Sequence, residues 1–248
     1  MKIYKNKGIR FLLSIVMFGA GFAAVVSSCG KAGVKNATSM NIGYQVINLN
    51  HGLGPVSLYI DYTIYNNYNF YYGAPSGYFN LTSIDTPFQI RSSPNQLTGT
   101  VVLAGNIFSL NNALKANTRY TLFIVGADST KSNRDEVFLT DTAATPSKGR
   151  GKVRFVNCSP LSPAFDIAAN GYVDAGFTNI AYKKFSKYIE MPAGNYNFQV
   201  YQTGTSSSVL GTLQNVTVQD GRLYTLYSYG VVGHTDSLAF ALGTIVNK

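Results

Sequence analysis

The sequence predicts an all-β protein: two tandem antiparallel β-sandwich domains, immunoglobulin-like or transthyretin-like, after an N-terminal signal helix. Three observations predict it. Beyond residue 40 no window sustains a helical period, whereas short runs of alternating apolar and polar residues recur between Gly-, Asn- and Ser-rich turns. The 18 Tyr and 15 Phe, with no Trp, favour pleated surfaces over helices. Finally, the chain repeats itself at a spacing of about 110 residues.

The elements follow in chain order. MKIYKNKGIR is a positively charged opening, FLLSIVMFGAGFAAVV is an apolar run, and Ser27 and Ser28 are small residues behind it. This is the anatomy of an export signal over residues 1–28. The uncharged stretch from Phe11 to Ser28 also approaches the length of a bilayer span, so a retained anchor is the competing reading. Val26-Ser27-Ser28-Cys29 resembles the lipobox of bacterial lipoproteins, in which an aliphatic residue and two small ones precede an obligatory cysteine. The resemblance implies that the Cys29 thiol carries a diacylglycerol, that cleavage precedes it, and that the new amine is acylated. Several acyl chains hold a protein stably where one holds marginally. Gly30 stands where an inner-membrane retention signal has Asp, so the resemblance implies an outer-membrane address, with membrane lipid the partner of Cys29. Lys31 is followed by Ala32 and Gly33 and only half matches a surface-export signal, which leaves the periplasmic and cell-surface faces both open. Residues 29–40 read as a flexible tether.

The repeat then organises the rest. QVINLN (45–50) aligns with RFVNCS (154–159), YGAPSGYFNL (72–81) with YKKFSKYIEM (182–191), PFQI with NFQV, and TRYTLFIVG (118–126) with RLYTLYSYG (222–230). The expected domains are 41–141 and 151–248, joined by a Pro-, Gly- and Ser-containing linker at 142–150. Each copy reads as about seven short strands. In YNFQVYQ, Tyr196, Phe198 and Val200 share one face, and in KVRFVN, Val153 and Phe155 do. Asn170-Gly171, Ala193-Gly194-Asn195 and Asp220-Gly221 read as tight hairpin turns.

GKVRFVNCSPLSPAFDIAANG, then AYKKFSKYIEMPAGNYNFQVYQTGT and GRLYTLYSYG, resemble the bacterial family called domain of unknown function 4397. The likeness covers nearly all of residues 151–236. Residues 43–126 resemble the family more loosely, with Ser57 where the second copy has Asp166. The resemblance implies secreted or lipid-anchored β-domains without an established activity.

Candidates for chemistry are few. The formal net charge is +9, and removing Lys2, Lys5, Lys7 and Arg10 with the export segment leaves about +5. Lys148, Arg150, Lys152 and Arg154 cluster near the linker, with Lys183, Lys184 and Lys187 beyond. They are expected to be solvated, with phosphate or anionic lipid as the functional alternative. Cys158 stands where the family has an Ala-like residue and reads as small and buried. With Cys29 acylated, Cys158 has no disulfide partner within the chain. His234 and Asp236 could offer two metal ligands where zinc sites use three or four, and His51 reads as a loop residue, so no metal site is expected. Asp61, Asp85, Asp166, Asp174 and Glu190 fall in no spacing that singles out a catalytic pair. No nucleophile elbow, phosphate loop or metalloprotease helix occurs. No catalytic residue and no cofactor is therefore assigned, and nucleic acid is not expected as a partner.

The most unusual composition is YIDYTIYNNYNFYYG, 59–73. Tyr offers an aromatic face and a hydroxyl, so Tyr62, Tyr65, Tyr68 and Tyr71 are the candidate ligand-binding row, with a glycan or an envelope protein as partner. The competing reading packs some of these rings into the sandwich. The expected function is a non-catalytic binding or scaffolding role on a lipid anchor. A hydrolase acting on envelope polysaccharide or peptide, and a purely structural envelope protein, stand as alternatives.

Overall fold

The computed structural model describes residues 40–65, 68–93, 105–111, 113–128 and 134–248. The export segment, Cys29 and the tether up to residue 39 lie outside the described residues. The described residues form one compact unit. Among the described residues no helix is long and apolar enough to cross a membrane.

The protein is all-β. The first repeat supplies β1 (Gly43–Asn48), β2 (Val56–Ile60), β3 (Thr63–Ile64), β4 (Phe79–Asn80), β5 (Phe88–Ser92), β6 (Asn106–Leu110), β7 (Arg119–Gly126) and β8 (Arg134–Thr140). The second supplies β9 (Arg150–Asn157), β10 (Phe165–Ala169), β11 (Tyr172–Val173), β12 (Ile189–Pro192), β13 (Gly194–Gln202), β14 (Val209–Val218), β15 (Leu223–Tyr229) and β16 (Ala241–Val246). Each repeat is a sandwich of two four-stranded sheets: β4-β1-β7-β8 over β3-β2-β5-β6, and β12-β9-β15-β16 over β11-β10-β13-β14. The two sets of sheets have the same strand order, so the duplication visible in sequence extends to every ladder. Among the described residues eight strands per repeat appear rather than about seven, because β3, β4 and β11 have two residues each, too few to show alternation.

The ladders are antiparallel with one exception per repeat. β1 runs parallel to β7, and β9 parallel to β15. Between β1 and β7 the chain crosses to the opposite sheet and returns, and such a long connection can deliver a strand in either sense. Periodicity within a strand carries no information about a neighbour's direction.

Asn170-Gly171 forms the expected two-residue hairpin between β10 and β11, with φ of +50° and +83°. The other two expected hairpin turns are sheet-to-sheet crossings instead. β12 pairs with β9 while β13 pairs with β10 and β14, and β14 and β15 belong to different sheets.

Among the described residues three apolar clusters form. One fills the first sandwich around Tyr44, Val46, Leu58, Phe88 and Leu122, and one fills the second around Phe155, Phe165, Ile167, Phe198 and Leu226. The third lies between the repeats: Ile47, Leu49, Phe123, Val125, Val137 and Leu139 meet Val156, Cys158, Tyr227 and Ile245. The outer face of β1, β7 and β8 thus packs on the outer face of β9, β15 and β16. That is why β1 is buried at all six positions, since a sheet covered on both faces loses its hydrophobic-in, polar-out alternation.

Contacts across this seam join like ends. The Arg119 guanidinium, at the start of β7, donates to the Asn247 carbonyl just past β16, at 2.7 Å. At the other end Tyr72 meets Tyr229 edge-to-face with ring centroids 6.0 Å apart, and Lys183 pairs with Asp135. The strands of both repeats therefore share a direction, and the tandem has two distinct ends. The chain enters at Met40, whose carbonyl accepts from the Asn117 amide at 2.7 Å.

Candidate binding surface

The tyrosine-rich segment runs beside β2 as a frayed edge. Thr63 and Ile64 pair with Ile60 and Tyr59, the Tyr65 amide donates to the Leu58 carbonyl at 2.7 Å, and Phe70 bridges Val56. Of the four candidates, Tyr62, Tyr68 and Tyr71 are exposed at 63%, 63% and 58%. Tyr65 is not. It is 7% exposed, stacks on Phe79 at 5.3 Å and donates its hydroxyl to the Asn80 carbonyl at 2.6 Å. Tyr62 lies in the left-handed β2–β3 turn, whereas Tyr65, bonded back to Leu58, turns its ring onto the core.

The exposed rings also divide between the ends. Tyr62 sits on the β2–β3 turn at the end where the chain enters, with φ +62°. Tyr68 and Tyr71 lie at the opposite end, beside the β1–β2 loop, because Asn48 at the close of β1 bridges Tyr72 and accepts from the Gly73 amide at 2.8 Å. There Tyr72 packs edge-on to His51 at 5.2 Å as well as to Tyr229. Its hydroxyl is buried without a hydrogen-bond partner among the described residues, and burial with Tyr229 nearby raises its pKa. Sequence reasoning missed Tyr72, His51 and Tyr229 as neighbours. The alignment of Tyr72 with Tyr182 was the available signal, since Tyr182 also packs on the inter-repeat cluster.

The remaining candidates have structural engagements. Asp166 accepts from the Asn179 amide (2.7 Å), the Thr203 hydroxyl (2.9 Å) and the Gly204 amide (3.1 Å). Partial burial raises this carboxyl, and those three donors more than offset it, leaving it below the ordinary Asp range. Ser57, its counterpart, joins the Asn69 and Ser93 side chains at 3.0 and 2.9 Å, so serine and aspartate fasten the same junction. Asp174 accepts from the Gly176 amide, and Glu190 pairs with Arg150 and Lys152. Asp61 and Asp85 line one cleft of about 320 Å³ with Thr63 and Ser83, at the Tyr62 end. His234 and Asp236 approach to 3.4 Å on an exposed turn. Among the described residues no group of three or more His, Cys, Asp or Glu could hold a metal. Cys158 is fully buried in the seam, and burial pushes its thiol well above the ordinary range, away from nucleophilic use.

Of the basic cluster, Arg154 turns inward. It is 3% exposed, pairs with Asp141, donates to the Thr225 hydroxyl at 2.8 Å and the Thr140 carbonyl at 3.1 Å, and lies over the Tyr188 ring. Asp141 also accepts from Thr121 at 2.6 Å and Tyr78 at 2.7 Å. Asn247, which occupies the place of Asp141 in the second repeat, accepts from Thr225 at 2.6 Å and donates to Tyr78 at 2.9 Å. A buried polar layer therefore crosses the seam above the apolar cluster.

A family model described as a domain of unknown function, DUF4397, matches residues 44–168 and again 152–242. A solved structure described as "a putative cell adhesion protein from Bacteroides eggerthii DSM 20697" aligns over 83% of this chain and 95% of that one, with 8% identity and a TM-score of 0.22. No curated protein matches. With both repeats matched, the chain belongs to the DUF4397 family.

Proposed function

We propose that this protein is a lipid-anchored component of the cell envelope, attached to the outer membrane through Cys29, with a non-catalytic binding or scaffolding role. The packed tandem is a rigid spacer, and Tyr68 and Tyr71 form its contact surface for a glycan or an envelope protein. One observation carries the reading. The chain enters at one end of the tandem, and the exposed rings of Tyr68 and Tyr71 lie at the other. Tyrosine supplies contact area at small entropic cost, and a flat ring suits the C–H face of a sugar or an apolar protein anchor. Function placed on loops of a stiff scaffold needs no catalytic constellation.

The test is a Tyr68→Ser/Tyr71→Ser variant in cells, compared with the native chain for partner capture after mild cross-linking. Loss of the captured partner with unchanged thermal stability supports the surface, and retention of every captured partner sinks it. Protease treatment of intact cells, with a periplasmic control, then tells which face of the membrane holds the partner.

A further inference from the structure

The end at which the chain enters carries a continuous rim of cations. The Asn117 amide donates to the Met40 carbonyl, which places Lys115 and Arg119 beside the incoming chain. Arg119 reaches Asn247, and the Leu223 amide reaches the Lys248 carbonyl, which brings Lys248 and Arg222 alongside. The Lys152 amide donates to the Arg222 carbonyl at 2.9 Å and the Gly221 amide to the Arg150 carbonyl at 2.8 Å, so the turn bearing Lys148 completes the rim. Lys115, Arg119, Lys148, Arg222 and Lys248 are all exposed, and none forms an ion pair among the described residues.

Asp61 and Asp85 stand at this end too, but beside the β2–β3 turn of the sheet away from the seam, and the acids nearer the rim are engaged. Asp141 is paired with Arg154, Glu190 with Arg150 and Lys152, and Asp220 accepts from the Gly149 and Arg150 amides. Inside the rim, at the seam between the repeats, is a cleft of about 220 Å³ lined by Asn117, Arg119, Asp141, Leu223, Asn247 and Lys248. Arg119 lies over the Tyr78 ring at 5.1 Å, which holds the guanidinium at the mouth of the cleft.

We propose that this rim docks on anionic lipid headgroups of the membrane in which the N-terminal segment sits, seating headgroup phosphates at the inter-repeat cleft and standing the tandem upright. The inference deepens the proposed function, because it supplies the orientation which that reading needs, and it rests on a membrane-held N-terminus. Charge complementarity selects the occupant: five cations without counter-ions face the side from which the chain emerges. A cation close to an anionic surface strengthens partitioning by about fivefold, within the roughly 10 Å reach of electrostatics at 0.1 M salt.

The full chain is reconstituted into vesicles of phosphatidylcholine, with or without phosphatidylglycerol, and mass spectrometry establishes whether Cys29 is acylated. With Cys158 buried, Asn117→Cys and Leu161→Cys each provide a site for a fluorescent probe, on the rim and at the opposite end. The expected result is quenching of the Asn117→Cys probe by a headgroup-borne quencher in anionic vesicles only, with the Leu161→Cys probe unaffected. Changing Lys115, Lys148, Arg222 and Lys248 to Gln is expected to reduce that proximity at least about tenfold in the bound fraction's equilibrium constant. Lys184→Gln, toward the other end, is expected to leave it unchanged.

Equal quenching in neutral vesicles, or at both probe sites, overturns the proposal, as does failure of the chain to associate with anionic vesicles. Binding of inorganic phosphate at the cleft, read from the Asn117→Cys probe without vesicles, together with no headgroup quenching in anionic vesicles, also overturns it, because the cleft is then a site for the free ion. An unacylated Cys29 with normal headgroup docking removes the lipoprotein reading and leaves this one standing.

Discussion

The buried Asp141–Arg154 pair gives the sharpest test of how the repeats are joined. Its side chains are 0% and 4% exposed, so neither charge has water to fall back on. Replacing Asp141 by Asn keeps an acceptor for the Tyr78 and Thr121 hydroxyls but leaves the guanidinium without a counter-charge. Breaking one side of such a pair costs about 3–5 kcal/mol. The pseudo-symmetric position in the first repeat holds Gln45 in place of Arg154, and Asn247 stands in place of Asp141. Nature has thus built the neutral version of this layer once in the same molecule, though Gln45 Nε2 is left without a partner among the described residues. The double variant Asp141→Asn/Arg154→Gln is therefore expected to lie within about 2 kcal/mol of the native chain, which makes the coupling between the two sites several kcal/mol. Urea unfolding followed by circular dichroism, with thermal melts alongside, measures all four corners of the cycle. Additive single effects, with coupling near zero, would refute the claim that this pair works as a unit across the seam.

Four further outcomes are expected. Tyr65→Ser should destabilise by about 3 kcal/mol, as for other buried aromatics, whereas Tyr68→Ser and Tyr71→Ser should each stay within about 0.5 kcal/mol in the same urea titration. Tyr62→Gly should raise stability by about 1 kcal/mol, because a side chain at φ +62° carries left-handed strain that glycine lacks. Gly243→Ala should destabilise by about 1–3 kcal/mol or more, since its Cβ would stand 2.2 Å from the Tyr227 ring in the seam, and the melting temperature reads this directly. Asp166 titrates below its ordinary value of 3.8 in the folded chain. Its contribution is thus present above the unfolded value and lost as pH falls through the folded one, so Asp166→Asn should flatten the acid limb of the stability profile below about pH 4.

Much of the fold was legible in the sequence. Alternation in YNFQVYQ marked β13, the repeat marked the duplication, and Asn170-Gly171 marked a true hairpin. The seam was not legible, because Ile47, Phe123 and Val156 are ordinary strand residues whose outward direction has meaning only once a partner sheet is known. Arg154 is the clearest case. Its neighbours Lys148, Arg150 and Lys152 made it look solvated, and steps of two do place it on their face of β9, but it lies further along the strand, where that face is covered by the first repeat and meets Asp141. The alignment held a clue, since Gln45 is polar at the matching place. In the tyrosine segment, composition identified the exposed rings but not their separation between two ends. That follows from the path of the chain along β2, and the burial of Tyr65 follows from its packing on Phe79.

The central claim is that the tandem presents one end to a partner while the other stays with the membrane. A photo-crosslinking amino acid placed in intact cells at Tyr68, and separately at Tyr62, tests it most directly. The account predicts a discrete adduct with a glycan or envelope protein from position 68 and none of that mass from position 62. The same partner captured from position 62, or none from position 68 while position 62 yields one, would contradict it.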